Sequence, residues 1–191
     1  MTLSNWITLS RIGLIFVIGW LFYIPWPKAK ILALIVYILT SSTDWLDGYV
    51  ARKYHQVTDW GKLMDALVDK IFTISMFVLL IGKGLIPTWG IFCILLILCR
   101  EFFITGLRIL LAKSGVVLAA EAHGKIKTIL QLVVIGSFFL IEMLRVNISA
   151  DWMQSLLPVL RWINTVNFIL ATALTLHSGI HYYSKYSAYL H

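Results

Sequence analysis

Asp44, Asp47, Asp59, Asp65 and Asp69, five of the nine acidic residues in the chain, fall within 26 positions. Asp44 and Asp47 are three apart, and Asp65 and Asp69 four apart, so each pair shares one face of a helix. Their surroundings are largely apolar, where an unpartnered carboxylate is costly. Four converging carboxylates repel one another, and without cations some would have to stay protonated. Two hard divalent cations would balance the four charges, and an all-oxygen donor set suits Mg²⁺ or Mn²⁺. With no His or Cys among the donors, a preference for zinc is disfavoured. Paired divalent ions of this kind serve phosphoryl-type transfer, in which they stabilise charge on the attacking and leaving oxygens. Gly48, Ala51 and Gly61 leave space for a large polar group close to the backbone, and Arg52 offers a fork of donors to a phosphate. The competing reading is a set of helix-end salt bridges with Arg52, Lys62 and Lys70; such pairs would not require the three small residues.

A second charged group follows: Arg100, Arg108, Lys113, Lys125 and Lys127. Arg100 lies inside an apolar run and so needs an internal partner. The adjacent Glu101 is not on its helical face, whereas Arg108, two turns on, is. Cations beside a metal-loaded site favour an acceptor that carries its own phosphate, such as glycerol 3-phosphate or inositol phosphate, over serine or choline.

The elements that must hold these residues are transmembrane helices. Of 191 residues, 60% are hydrophobic and 13% charged, too apolar for one soluble core. Six apolar stretches can be marked, at about 12–27, 30–51, 66–82, 86–112, 125–146 and 156–183, separated by Pro and Gly breakers. Backbone amides in lipid need internal partners, so the stretches should be helices. The expected fold is an all-α integral membrane protein of six transmembrane helices, preceded by a short interfacial helix over the polar residues 1–11. Six crossings place both termini on one side, with ten Lys and Arg residues there against five on the other, which favours cytoplasmic termini. The first apolar run lacks the form of a cleaved signal. The net charge of +7 is scattered between apolar runs, which argues for lipid head groups or an anionic substrate and against nucleic acid. Cys93 and Cys99 face different directions on one helix, which excludes them as a metal pair.

The segment Asp44-Trp-Leu-Asp47-Gly48-Tyr-Val-Ala51-Arg52, then eight residues to Gly61, four on to Asp65 and four on to Asp69, resembles the signature of the CDP-alcohol phosphatidyltransferases. All eight fixed positions are filled, and the length and six-span plan also fit, so residues 1–191 would form a single domain of that family. The resemblance implies a multi-pass enzyme of the bacterial cytoplasmic membrane, working as a homodimer with its active site facing the cytoplasm. The enzyme would move a phosphatidyl group from a CDP-linked lipid to an alcohol and release CMP. By the same resemblance, Asp44, Asp47, Asp65 and Asp69 would hold the metals, and Asp69 would also take the acceptor's hydroxyl proton. Gly48, Ala51, Arg52 and Gly61 would shape the nucleotide site, and Asn5, Thr8 and Arg11 are similar to the polar amino-terminal pattern beside it. The run Arg100-Glu101, Leu107-Arg108 and Gly124-Lys125-Ile-Lys127-Thr128 resembles the bacterial phosphatidylglycerophosphate synthases. It implies CDP-diacylglycerol and glycerol 3-phosphate as substrates among the membrane lipids, with Arg100, Arg108, Lys125 and Lys127 at the acceptor phosphate and Arg108 and Lys125 leading. Inositol phosphate, serine and phosphatidylglycerol remain alternative acceptors. Intramembrane prenyltransferases carry a second, distant aspartate-rich motif, whereas Glu101, Glu121, Glu142 and Asp151 stand alone here. A metal-ion transporter would need acidic groups along a path across the bilayer.

Overall fold

The computed structural model describes the backbone of residues 3–53, 59–113 and 122–186. Side chains are described for 8–43, 61, 64–111 and 127–186. Six helices account for the regular structure of these residues: α1 (Leu3–Tyr23), α2 (Pro27–Lys53), α3 (Asp59–Gly82), α4 (Gly90–Lys113), α5 (Ala122–Asn147) and α6 (Asp151–Tyr186). No strand occurs among the described residues. Each apolar stretch coincides with one helix, although α1 ends at Tyr23 and α4 begins at Gly90, short of the expected edges at 27 and 86. The polar residues from Leu3 onward continue into α1 without a break, so they form its first turns rather than a separate element.

Gly90–Leu111, Lys127–Asn147 and Asp151–Tyr186 are long and apolar enough to cross a membrane, and Thr8–Tyr23 forms a shorter apolar helix. The outer surface agrees: Phe16, Phe92, Trp162 and Ile180 are each about two-thirds or more exposed, a loss that lipid would remove. Trp20, Trp26, Trp89, Trp152 and Trp162 are all exposed and gather toward the end of the bundle where α1, α3 and α5 finish, as an interfacial aromatic belt would.

The helices run alternately up and down. α1 packs on α2 and α3, α2 on α5, α5 on α6, and α6 on α4, while α3 also meets α4 and α5. The main core joins Phe22, Phe77, Phe138, Phe139 and Phe168 with Ile18, Met76 and Leu80. Tyr37 lies between Phe72 and Phe139, with centroid separations of 5.8 and 5.2 Å and nearly parallel rings. Its hydroxyl donates to the Leu132 carbonyl at 2.7 Å, so α2, α3 and α5 are tied at one level. A second, smaller cluster of Ile104, Leu107, Leu111 and Tyr182 seals α4 to α6.

The polar run before Asp44 keeps to a helix because it satisfies itself. Thr40, Ser41, Ser42 and Thr43 each donate a hydroxyl to the carbonyl four residues back, at 2.6–2.8 Å. Such back-bonding hides hydroxyls that lipid could not solvate. At the opposite end, the α3–α4 turn uses Gly84 at φ 69°, a left-handed conformation that favours glycine.

Candidate active site

The Tyr37–Phe72 stack sets the register of the two acidic helices. Position 44 lies seven residues beyond Tyr37 in α2, and position 65 seven residues before Phe72 in α3. Two helical turns rise about 10 Å, and the helices are antiparallel, so both backbone positions lie at one level beyond the stack. The seven-residue step also returns each to the stripe of its helix that carries the ring. The side chains of Asp44, Asp47, Gly48, Ala51, Arg52, Asn5 and Lys125 lie outside those described, although each residue falls within a helix.

On α3 the geometry is explicit. The Asp65 side chain is 52% exposed, and one of its oxygens, Oδ1, lies 3.9 Å from Nη1 of the buried Arg11. Thr8, one turn earlier on α1, is also buried. Arg11 is thus brought to the acidic helix, through the packing of α1 on α3. Gly61 sits in the first turn of α3, half-buried. Asp69, half-buried one turn beyond Asp65, lines a small recess of about 10 Å³ together with Lys70, Thr73, Glu101, Thr128 and Gln131, roughly the room of one water.

Across that recess runs a polar layer that joins α3, α4, α5 and α6. The Glu101 Oε1 accepts from Arg100 Nη1 at 2.9 Å and from Lys127 Nζ. Arg100 Nη2 donates to Ser178 on α6 at 2.7 Å, and Gln131 Nε2 donates to Thr175 at 3.0 Å. The expectation that Glu101 is turned away from Arg100 is therefore corrected: adjacent residues diverge at Cβ, but a long guanidinium and a glutamate reach round the helix and meet. Arg108 does not join this layer. Its Nε donates to the Tyr182 hydroxyl at 3.2 Å, and its guanidinium lies 5.3 Å from that ring's centroid.

Glu101 is the residue that sequence reasoning missed. Set aside as standing alone, it is the carboxylate on which two of the four acceptor-phosphate candidates converge. Its signal was present: an ionisable residue within an apolar helical run implies a partner, and on the next helix the run holding Lys127 supplies one. Gln131, Thr175 and Ser178 gave no comparable signal, because neutral polar residues are common in such helices.

Aspartate positions whose backbone lies at one level of α2 and α3 offer a hard, all-oxygen donor set that suits divalent cations. At Asp65 the fit rests on a carboxylate that is about half exposed. Among the described residues no group of three or more His, Cys, Asp or Glu side chains converges, and half of the proposed set belongs to α2, whose side chains there are not described.

Comparison with known proteins bears on the same residues. The family model for CDP-alcohol phosphatidyltransferase matches residues 1–177. A Bacillus subtilis (strain 168) protein named CDP-diacylglycerol–glycerol-3-phosphate 3-phosphatidyltransferase is 40% identical over 150 residues, 72% of this chain and 76% of its own length. A Rickettsia bellii protein of the same name is 42% identical over 130 residues, 68% of this chain and 70% of that one. A Yersinia pestis protein, also so named, is 29% identical over 134 residues, 69% and 73% of the two chains. The match takes in the acidic motif, the recess and nearly all of the six helices, and the chain belongs to the CDP-alcohol phosphatidyltransferase family.

Proposed function

We propose that the protein transfers the phosphatidyl group of CDP-diacylglycerol to glycerol 3-phosphate, giving phosphatidylglycerol phosphate and CMP. The observation that carries the choice of acceptor is the cationic layer beside Asp69. Arg100, Lys127 and Glu101 sum to one positive charge next to the recess, which favours an acceptor bearing a phosphate. The names of the relatives support the same substrates.

In this reading Asp44, Asp47, Asp65 and Asp69 hold two divalent cations, Mg²⁺ or Mn²⁺. When bound, the ions supply charge stabilisation to the pyrophosphate and to the departing CMP. Asp69 takes the proton from the acceptor hydroxyl. The hydroxyl oxygen forms a bond to the phosphatidyl phosphorus, and the bond from that phosphorus to the CMP oxygen breaks. Arg11 and Thr8, with Asn5, Gly48, Ala51, Arg52 and Gly61, form the nucleotide end. Arg100, Lys127, Lys125 and Arg108 serve the acceptor end. All six helices cross the cytoplasmic membrane of a bacterium, with the first turns of α1 at the interface and the site on the cytoplasmic face. The whole chain forms one domain, and the enzyme works as a homodimer.

The test is an acceptor panel in detergent with CMP release as the readout. Glycerol 3-phosphate should support release from CDP-diacylglycerol, while inositol phosphate, serine and phosphatidylglycerol should not. Release with inositol phosphate instead would keep the phosphate-recognising layer and change the alcohol. Cation flux without CMP release would discard the transferase reading.

A further inference from the structure

The four cations assigned to the acceptor phosphate have different surroundings, and the difference assigns them different work. Arg108 leans on Tyr182. Arg100 is clamped. Nη1 is held by Glu101, Nη2 by Ser178, and its stem crosses α6 at Gly179, where an added Cβ would lie 2.7 Å from Arg100 Cγ. A guanidinium fixed on both forks and against backbone braces α4 to α6. Lys127 is different. It is buried, its partner among the described residues is Glu101, and it immediately precedes Thr128, which lines the recess with Asp69. An ammonium carries three donors, so two remain for a ligand.

We infer that Glu101 is a positioning residue for the acceptor: its carboxylate anchors the Lys127 ammonium at the edge of the Asp69 recess, where it meets the acceptor's phosphate. The inference rests on the proposed reaction and deepens it. Two things make Glu101 suited to this. It is braced by Arg100, and hence by α6, so the oxygen that Lys127 grips is itself fixed. It also lines the recess directly, so the ammonium bonded to it lies within one hydrogen bond of that lining. A lysine has a flexible four-carbon stem. Without the anchor its head would sample other positions, and each phosphate bound would have to order it again.

The experiment is steady-state CMP release in detergent at saturating Mg²⁺, varying each substrate in turn. It uses Lys127→Met, Glu101→Gln, the double variant and Glu101→Asp. Glu101→Gln should raise the KM for glycerol 3-phosphate about tenfold, as loss of a charged hydrogen bond does, with the KM for CDP-diacylglycerol within about twofold. Lys127→Met should raise the acceptor KM at least as much, and the double variant no further than Lys127→Met alone, because Glu101 acts through Lys127. Glu101→Asp keeps the charge and withdraws it by one methylene, so its acceptor KM should fall between wild type and Glu101→Gln. Should Glu101→Gln not yield folded protein, Glu101→Asp carries the test, and an unchanged acceptor KM in it overturns the inference. Equal rises in both KM values, or effects that multiply in the double variant, also overturn it. A Lys127→Met enzyme with an unaltered acceptor KM would instead remove the acceptor phosphate from Lys127.

Discussion

Polar groups lie at both ends of the helical bundle, and the two ends use them differently. At the end where α1, α3 and α5 finish, the cations close off backbone. Lys30 donates to the Phe22 and Ile24 carbonyls, both at 2.6 Å, capping the last turn of α1. Arg161 donates to the Gly84 and Leu85 carbonyls in the α3–α4 turn, and Arg145 pairs with the buried Glu142 one turn away. The Lys30 and Arg161 contacts satisfy a helix end and a turn that lipid would leave unsolvated, and the Arg145 pair neutralises a buried carboxylate. At the opposite end, carboxylates and cations from α3, α4 and α5 gather around a recess. That layer keeps more positive charge than the fold requires and places an aspartate beside it. Polar residues that finish helices hold a membrane fold together; polar residues that meet across helices, with charge left over, mark where chemistry is done.

Substitutions at the two ends should therefore separate activity from stability. The largest effect on turnover is expected from Asp69→Asn. It should lower kcat by about a thousandfold, within the range for loss of a general base, while CMP affinity measured by calorimetry stays close to wild type. A fully active variant would take the proton-accepting role away from Asp69. Gly179→Ala comes next. Its methyl collides with Arg100, so the brace on Glu101 shifts, and the acceptor KM should rise roughly fivefold, on the scale of one displaced charged hydrogen bond. An unaltered KM there would show that α6 does not support the layer.

Arg108→Ala should act more weakly, raising the acceptor KM by no more than about threefold, since its guanidinium is engaged by the ring and hydroxyl of the buried Tyr182. A tenfold rise would put Arg108 in direct contact with the acceptor's phosphate. Lys30→Met should leave both KM values and kcat alone. It should lower unfolding stability in detergent by about 2 kcal/mol, the scale of two charge-assisted bonds to carbonyls, read from thermal or denaturant unfolding. A kinetic effect of Lys30→Met would break the division between the two ends.

Much of this arrangement could be read in the chain before any fold was known. The apolar stretches located all six helices, because in lipid each helix satisfies its own backbone and the signal is local. The eight-position motif named the acidic pairs, since helical spacing alone puts Asp65 and Asp69 on one face. What stayed hidden depends on how different helices register. The pairing of Glu101 with Lys127 spans α4 and α5, and that of Arg100 with Ser178 spans α4 and α6; no spacing within one helix encodes either. How α2 and α3 lie against each other is hidden for the same reason. Among the described residues the two meet through the Tyr37–Phe72 rings, while α1 packs along both. The extent of α1 was misread for a local reason. Polar residues such as Asn5 and Ser10 end an apolar run but do not end a helix, and nothing in that segment breaks one.

The central claim is that α2 and α3 together hold paired divalent cations. Titration of the purified, detergent-solubilised protein with Mn²⁺, followed by electron paramagnetic resonance, tests it without relying on turnover. The account predicts two bound Mn²⁺ per chain in the wild type, with loss of at least one in Asp44→Asn and in Asp65→Asn alike. Equal Mn²⁺ binding by wild type and both variants would contradict it.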